Sequence, residues 1–337
     1  MIAYYAHSQG FGHSNSAQQF CYAFENKSLI ITASTFKFDT NIKVIAIENE
    51  DSDYTNYLKT VQNLPRYAHY LPKSQKNILF RNFQILDSCL THKIAFALVD
   101  VSVETAVQFR VAGIPYAYNK MLGHRNDPAH QIAQEASEFL FAYFPKQMEM
   151  CTDKAVIEKV NYLGFISRFK FRTTTSPVNL RSKKNIKILM LSGNGGLQLD
   201  RHSIEALCKQ KLDYHFTIVG LTESIMGLNV NQLPFTNDLE QLMLDNDIVI
   251  SSCGMNLTSE ILSVKNKFIA IAENRPYEEQ EMILRGLEKN GLAVKLNLHD
   301  LDRSIKEYID LPVHNQLASY FGSMKNFEKI EKFKPFL

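Results

Sequence analysis

Apolar residues along this chain fall into short runs separated by stretches of helical spacing. Runs at 2–6, 29–32, 43–47, 94–99, 115–118, 186–191, 216–219, 248–250 and 268–271 have the length and branching of buried strands. Between them, helical patterns are predicted from Ser14 or Asn15 to about 24, over 75–89, from Ser102 to Gly113, across 132–136, over 257–262 and over 277–289. Asp127-Pro128 supplies an N-cap and a first-turn proline, and Asn290-Gly291 a helix stop. Such alternation predicts an α/β chain built on parallel, doubly wound sheets.

The periodicity fails between 165 and 187. There Arg168, Lys170, Arg172, Arg181, Lys183 and Lys184 interleave with Thr173, Thr174, Thr175, Ser176 and Pro177. That break predicts a first domain at 1–165, a linker at 166–186 and a second domain at 187–312. The remaining 313–337 carries Leu317, Phe321, Met324, Phe327 and Ile330 close to helical spacing, so a terminal helix is expected.

Composition narrows the class. The 337 residues are 45% hydrophobic, enough for two sizeable cores. Lys and Arg total 37 against 35 Asp and Glu, a balance that points to no nucleic-acid partner. Five cysteines without a CxxC pair fit a reducing compartment rather than a disulfide framework or zinc site. No apolar run approaches the roughly 20 residues of a spanning helix, and 1–10 lacks the basic start of a signal peptide, so a cytoplasmic protein is expected.

The chemistry concentrates at 247–296. A strand ends in the small turn Ser251-Ser252-Cys253-Gly254, and a helix starts at once with Met255 and Asn256. Backbone N–H groups at such a turn, with the positive helix end, suit an anion. Glu260 lies where a carboxylate can accept two ribose hydroxyls. One strand later, Pro276-Tyr277-Glu278-Glu279-Gln280 offers an acid and an amide, Glu279 and Gln280, for sugar hydroxyls. Spacing and strand–helix context together resemble the C-terminal signature of GT-B glycosyltransferases. The likeness is greatest to the branch of the lipid-II-forming N-acetylglucosamine transferase and the UDP-glycosyltransferases. A His commonly precedes the Cys-Gly pair in the latter; here it is Ser252.

The resemblance implies two Rossmann-like domains facing across a cleft, with the C-terminal helix crossing back to the first domain. It also predicts a Gly-x-Gly-His turn after the first strand, and Gly10-Phe11-Gly12-His13 stands there, with Gly12 on the donor side. His13 is implied as general base, since imidazole titrates near neutral pH. Asp100, ending a buried-looking strand at the same sheet edge, either orients His13 or acts on the acceptor directly. Ser192, Gly193 and Asn194 follow another strand. The dinucleotide fingerprint would need glycine at Gln198, so the resemblance implies a loop near the donor diphosphate or the acceptor instead. Phe235 falls in the loop that similar enzymes place beside the nucleobase.

Other clusters take plainer readings. His124, Asp127 and His130 have poor metal spacing, and Asp127 reads as a helix cap. Arg125 reads as solvated, with an acidic or phosphorylated acceptor as the alternative. Asp51-Ser52-Asp53 and Asp245-Asn246-Asp247 match the DxD of metal-dependent transferases but lie outside the motif-bearing turns. The basic, aromatic tail 325–337 and the linker read as a solvated helix face and a flexible connection, with peripheral contact with the inner face of a membrane as the alternative.

The expected function is therefore inverting, metal-independent transfer of a sugar from a nucleotide-sugar, a UDP-sugar first, to a hydroxyl acceptor. The donor is a substrate, and no cofactor or metal is expected. A lipid-linked or cell-envelope glycan precursor fits as acceptor. Two alternatives are a same-fold nucleotide-sugar epimerase and a non-catalytic sugar-nucleotide-binding protein.

Overall fold

Strand order reverses once in each of two parallel sheets, and the reversal decides where a ligand can sit. The computed structural model describes residues 1–50, 64–172, 180, 183–192, 199–236 and 238–337. The first sheet contains β1 (Ile2–Ala6), β2 (Ser28–Thr32), β3 (Val44–Ala46), β4 (Phe96–Asp100), β5 (Tyr116–Asn119), β6 (Phe139–Ala142) and β7 (Val160–Tyr162). Its order is β3-β2-β1-β4-β5-β6-β7, and Ala6 lies opposite Asp100 in the parallel register. The second sheet contains β8 (Lys187–Leu191), β9 (His215–Val219), β10 (Val230–Leu233), β11 (Ile248–Ser252), β12 (Phe268–Ile271) and β13 (Ala293–Lys295). Here the order is β10-β9-β8-β11-β12-β13. Loops therefore diverge above the β1/β4 pair and the β8/β11 pair, the places where open α/β sheets hold ligands.

β1, β2, β4, β5 and β6 are buried along their whole length, because helices cover both faces of the sheet. That is why they read as continuous apolar runs rather than as an alternation. β7 and β10 were not evident in the sequence: both are edge strands, half-buried and carrying Asn or Gln. The helices that matter for the site are α1 (Phe11–Ala23), α2 (Lys76–Thr91), α3 (Val103–Val111) and α4 (Pro128–Ala136). After α5 (Lys154–Lys159), α6 (Arg201–Gln210) and α7 (Leu239–Asp245) come α8 (Met255–Val264), α9 (Glu279–Lys289) and α10 (Leu301–Asp310). Ser102 and Asp127 cap α3 and α4 as their sequence positions predict. α1 starts three or four residues earlier than its spacing suggests. Gly10 adopts φ 74° and turns the chain directly from strand to helix, which puts His13 in the first helical turn.

The chain end corrects one expectation. Instead of an α-helix, 313–337 holds three 3₁₀ turns at Leu317–Tyr320, Met324–Lys329 and Lys334–Phe336. Met324, Phe327, Ile330 and Phe333 are spaced by three, which matches the 3.0 residues per turn of a 3₁₀ helix and aligns them on one side. That side packs on the first sheet beside Tyr4, Phe20, Phe96 and Phe141. The tail reaches it by crossing the chain after β7: Phe165 N–H donates to Tyr320 O at 2.8 Å and Gly322 N–H to Phe165 O at 3.0 Å. A Cβ at Gly322 would lie 1.7 Å from the Leu163 carbonyl oxygen, so only glycine passes there.

The tail is thus part of the first domain's core. Phe333→Ala, at a fully buried position, should lower the stability of the first domain by roughly 3–5 kcal/mol. Lys334→Ala next to it is exposed and should stay within about 0.5 kcal/mol. Denaturant unfolding of the full chain measures both.

Candidate active site

The β1-to-α1 turn and the end of β4 meet above the first reversal, and His13 meets Asp100 there. Nδ1 of His13 lies 2.9 Å from Oδ2 of Asp100. Asp100 also accepts from Asn119 Nδ2 at 2.5 Å and from the Tyr4 hydroxyl at 3.2 Å, and is only 1% exposed. A carboxylate only accepts, so His13 carries its proton on Nδ1 and turns Nε2 outward as a base. The imidazole is 23% exposed and lines the cleft. Burial alone would lower its pKa, but the charge and hydrogen bond of Asp100 outweigh that and raise it above 6.5. Burial would raise the Asp100 pKa, yet His13, Asn119 and Tyr4 hold it below its ordinary value. Of the two roles open to Asp100, the geometry therefore favours orienting His13.

The second domain presents its own turn across the cleft. α8 begins at Gly254 with no side-chain cap, so its first N–H groups are left for another acceptor. Ser192, Ser252, Gly254, Met255 and Phe235 all line the cleft. Cys253 does not: its side chain is fully buried in the second domain's core. Alternation along the chain turns it inward between its two cleft-facing neighbours. Gly193 and Asn194 lie outside the described residues, as does the triplet 51–53. The second triplet is structural, with Asp247 held by Lys183 at 2.6 Å and by the Lys187 N–H at 2.8 Å.

Asn256, expected at the donor, lines the cleft and also bridges the domains. Its Nδ2 donates to the Gly12 carbonyl at 2.7 Å, bringing the two glycine turns into contact. Glu260 is buried and ion-paired with Arg168, Nε to Oε1 at 2.8 Å. Burial raises the carboxyl pKa while Arg168 pulls it back. By sequence Arg168 belongs to the basic linker, because its partner lies 92 positions away and nothing local marks the pair. Gln280 is buried, lines the cleft and accepts the Glu273 N–H through Oε1 at 3.0 Å. Glu279 pairs with Arg125 of the first domain at 2.8 Å. Arg125 is thus nine-tenths buried rather than solvated.

His69, Asp127 and His130 come close enough to suggest a cation site, with ligand atoms within 4.8 Å of one another. The hydrogen bonds argue otherwise. Arg125 Nη1 lies 3.2 Å from His130 Nε2, and a guanidinium only donates. Nε2 must then be the acceptor, and Nδ1 carries the proton donated to Asp127 Oδ2 at 2.6 Å. A metal at Nδ1 would set the Nε2 proton against the guanidinium. Asp127 acts as the helix cap its position suggests.

No family model matches the chain, and no curated protein matches it in sequence. Solved structures do match in shape. The spinosyn forosaminyltransferase SpnP has TM-score 0.67 at 10% identity, with 98% of each chain covered. The spinosyn rhamnosyltransferase SpnG complexed with thymidine diphosphate has TM-score 0.66 at 10% identity, covering 98% of this chain and 99% of that one. MurG of Acinetobacter baumannii has TM-score 0.58 at 15% identity, with 96% and 94% covered. Two parallel-sheet domains meeting at a cleft, matched over nearly the whole chain, give this protein the GT-B fold.

Proposed function

We propose that this chain is an inverting glycosyltransferase acting on a nucleotide-sugar, a UDP-sugar in the first instance, without a metal. The observation that carries the reading is the His13–Asp100 pair facing the uncapped start of α8 across the cleft. His13 Nε2 takes the proton of the acceptor hydroxyl as its oxygen bonds to the anomeric carbon. The bond from that carbon to the diphosphate oxygen breaks, and the electron pair leaves with the diphosphate. A single displacement inverts the anomeric centre. Asp100 stabilises the imidazolium, and the α8 N–H groups stabilise the charge arriving on the diphosphate. The similar structure bound to thymidine diphosphate supports a pyrimidine nucleoside diphosphate as leaving group. A base oriented for an acceptor favours transfer over epimerisation or simple binding.

His13→Ala should lose roughly 10²–10⁴-fold in transfer rate while binding UDP as wild type does. The wild-type rate should rise with pH through a value above 6.5, because Asp100 raises the pKa of the imidazole against burial. That limb should be absent in the variant. Near wild-type transfer by His13→Ala would remove His13 as the base.

Glu260→Ala should weaken UDP by about 1.5–3 kcal/mol, the worth of a hydrogen bond to a charged group. Calorimetry reads this directly, and an unchanged affinity would take the ribose away from Glu260.

The tail turns Phe327 and Phe333 into the core, which leaves those rings no part in the membrane contact that is its alternative reading. α2 does carry an apolar stripe: Leu79, Phe80, Phe83, Leu86 and Leu90 are 37–81% exposed, with Phe80 and Phe83 stacked. The exposed cations Arg66, Lys73 and Lys76 lie just before it or at its start. This face supports peripheral binding to an anionic bilayer that carries a lipid-linked acceptor. Phe80→Ser with Phe83→Ser should abolish co-sedimentation with phosphatidylglycerol vesicles and leave UDP binding intact. Retained sedimentation would assign the face to another partner.

A further inference from the structure

Glu279 opens α9 from an unusual turn. Two consecutive non-glycine residues before it, Tyr277 and Glu278, have φ of 63° and 54°. Left-handed backbone of this kind persists only where the surroundings over-determine it. The surroundings are the first domain. His124 N–H donates to the Tyr277 carbonyl at 2.8 Å, and the Arg125 guanidinium lies 4.6 Å over the Tyr277 ring. Arg125 Nη2 then reaches Glu279 Oε2 at 2.8 Å.

Arg125 is itself held from behind. Its Nη1 donates to His130 Nε2, and His130 donates through Nδ1 to Asp127. Burial, against the pull of Asp127, pushes the His130 pKa down to about 4, so at neutral pH the ring is a neutral acceptor. Asp127, the acid on the His130 side of Arg125, is already bound to two imidazoles. The groups facing Glu279 are Arg125, His13 and Asp100. Burial favours its neutral acid; Arg125 and His13 favour the carboxylate, and Asp100 opposes it.

We propose that Arg125 is a positioning residue for the donor sugar: the first domain supplies the guanidinium that fixes the carboxylate of the second, so that Glu279 grips sugar hydroxyls only when the cleft is closed. The proposal rests on the transferase reading above. It makes sugar recognition, unlike nucleotide binding, depend on both domains at once.

The test compares UDP with whichever of UDP-glucose, UDP-galactose and UDP-N-acetylglucosamine binds the wild type most tightly. Calorimetry runs from pH 7 to 9, in the full chain and in a His13→Gln background that removes the other cation facing Glu279. Arg125→Ala should weaken the UDP-sugar roughly ten- to a hundredfold at pH 7 and leave UDP unchanged. Affinity should recover as pH rises, because without Arg125 the partly buried Glu279 ionises later. Glu279→Gln should show the same loss with no recovery, and Arg125→Lys a smaller loss that is flat with pH. Equal losses for UDP and UDP-sugar, or none for Arg125→Ala, would overturn the proposal. Normal sugar binding by Glu279→Gln would overturn it too, while leaving the transferase reading standing. Absence of any UDP or UDP-sugar binding in the wild type would bring down both.

Discussion

A carboxylate with 1% of its surface exposed stays charged only if donors replace the water it has lost, and the first domain is arranged around meeting that demand at Asp100. The donors come from three separate elements: Tyr4 on β1, His13 on α1 and Asn119 on β5. β4 sits between β1 and β5, so the order of the sheet delivers them. A slip of one residue in β1 would turn Tyr4 to the opposite face and strand the charge. The next residue, Val101, has φ 75°, a conformation β-branched side chains rarely adopt. The chain therefore keeps a strained backbone beside a buried charge, at the point where Asp100 meets His13.

The same problem recurs in the second domain with a different solution. Glu260 and Glu279 are largely buried, and each receives an arginine from outside that domain's sheet: Arg168 from the segment between the sheets, Arg125 from the first domain. Buried ion pairs add little net stability, because desolvation offsets attraction. Their effect is geometric. Each fixes a carboxylate at the cleft and ties its orientation to the relative placement of the two domains.

What the sequence made legible was local. Strand, small turn and helix follow one another within a few residues, so Gly10–His13 and Ser252–Asn256 could be found by reading along the chain. Two parallel sheets followed from the alternation, and the cleft from the resemblance to GT-B enzymes. The missing parts were pairings across the fold. Arg168 and Glu260 are 92 positions apart and Arg125 and Glu279 are 154 apart, and neither arginine differs locally from a solvated one. The tail failed for another reason: spacings of three and of 3.6 are hard to tell apart over a few turns, and the close pass at Gly322 that fixes its path is a tertiary fact. Cys253 shared a motif with cleft residues, yet a motif does not say which of its side chains face inward.

The helix starts differ in how their first N–H groups are met. α3, α4, α5, α6 and α10 are capped by side chains of Ser102, Asp127, Asp153, Asp200 and Asp300. α2, α7 and α9 start from Gln75, Asp238 and Glu278 without a side-chain acceptor, and α1 and α8, which begin above the two reversals of strand order, differ from all of these in having glycine at an uncapped start. Glycine there costs only a few tenths of a kcal/mol relative to a capping side chain. For that small cost, each helix keeps free N–H groups and its positive end turned to the cleft. The two bare ends stand close enough for Asn256 to bond to Gly12. The positive ends of two helices, one from each domain, therefore open on the same part of the cleft.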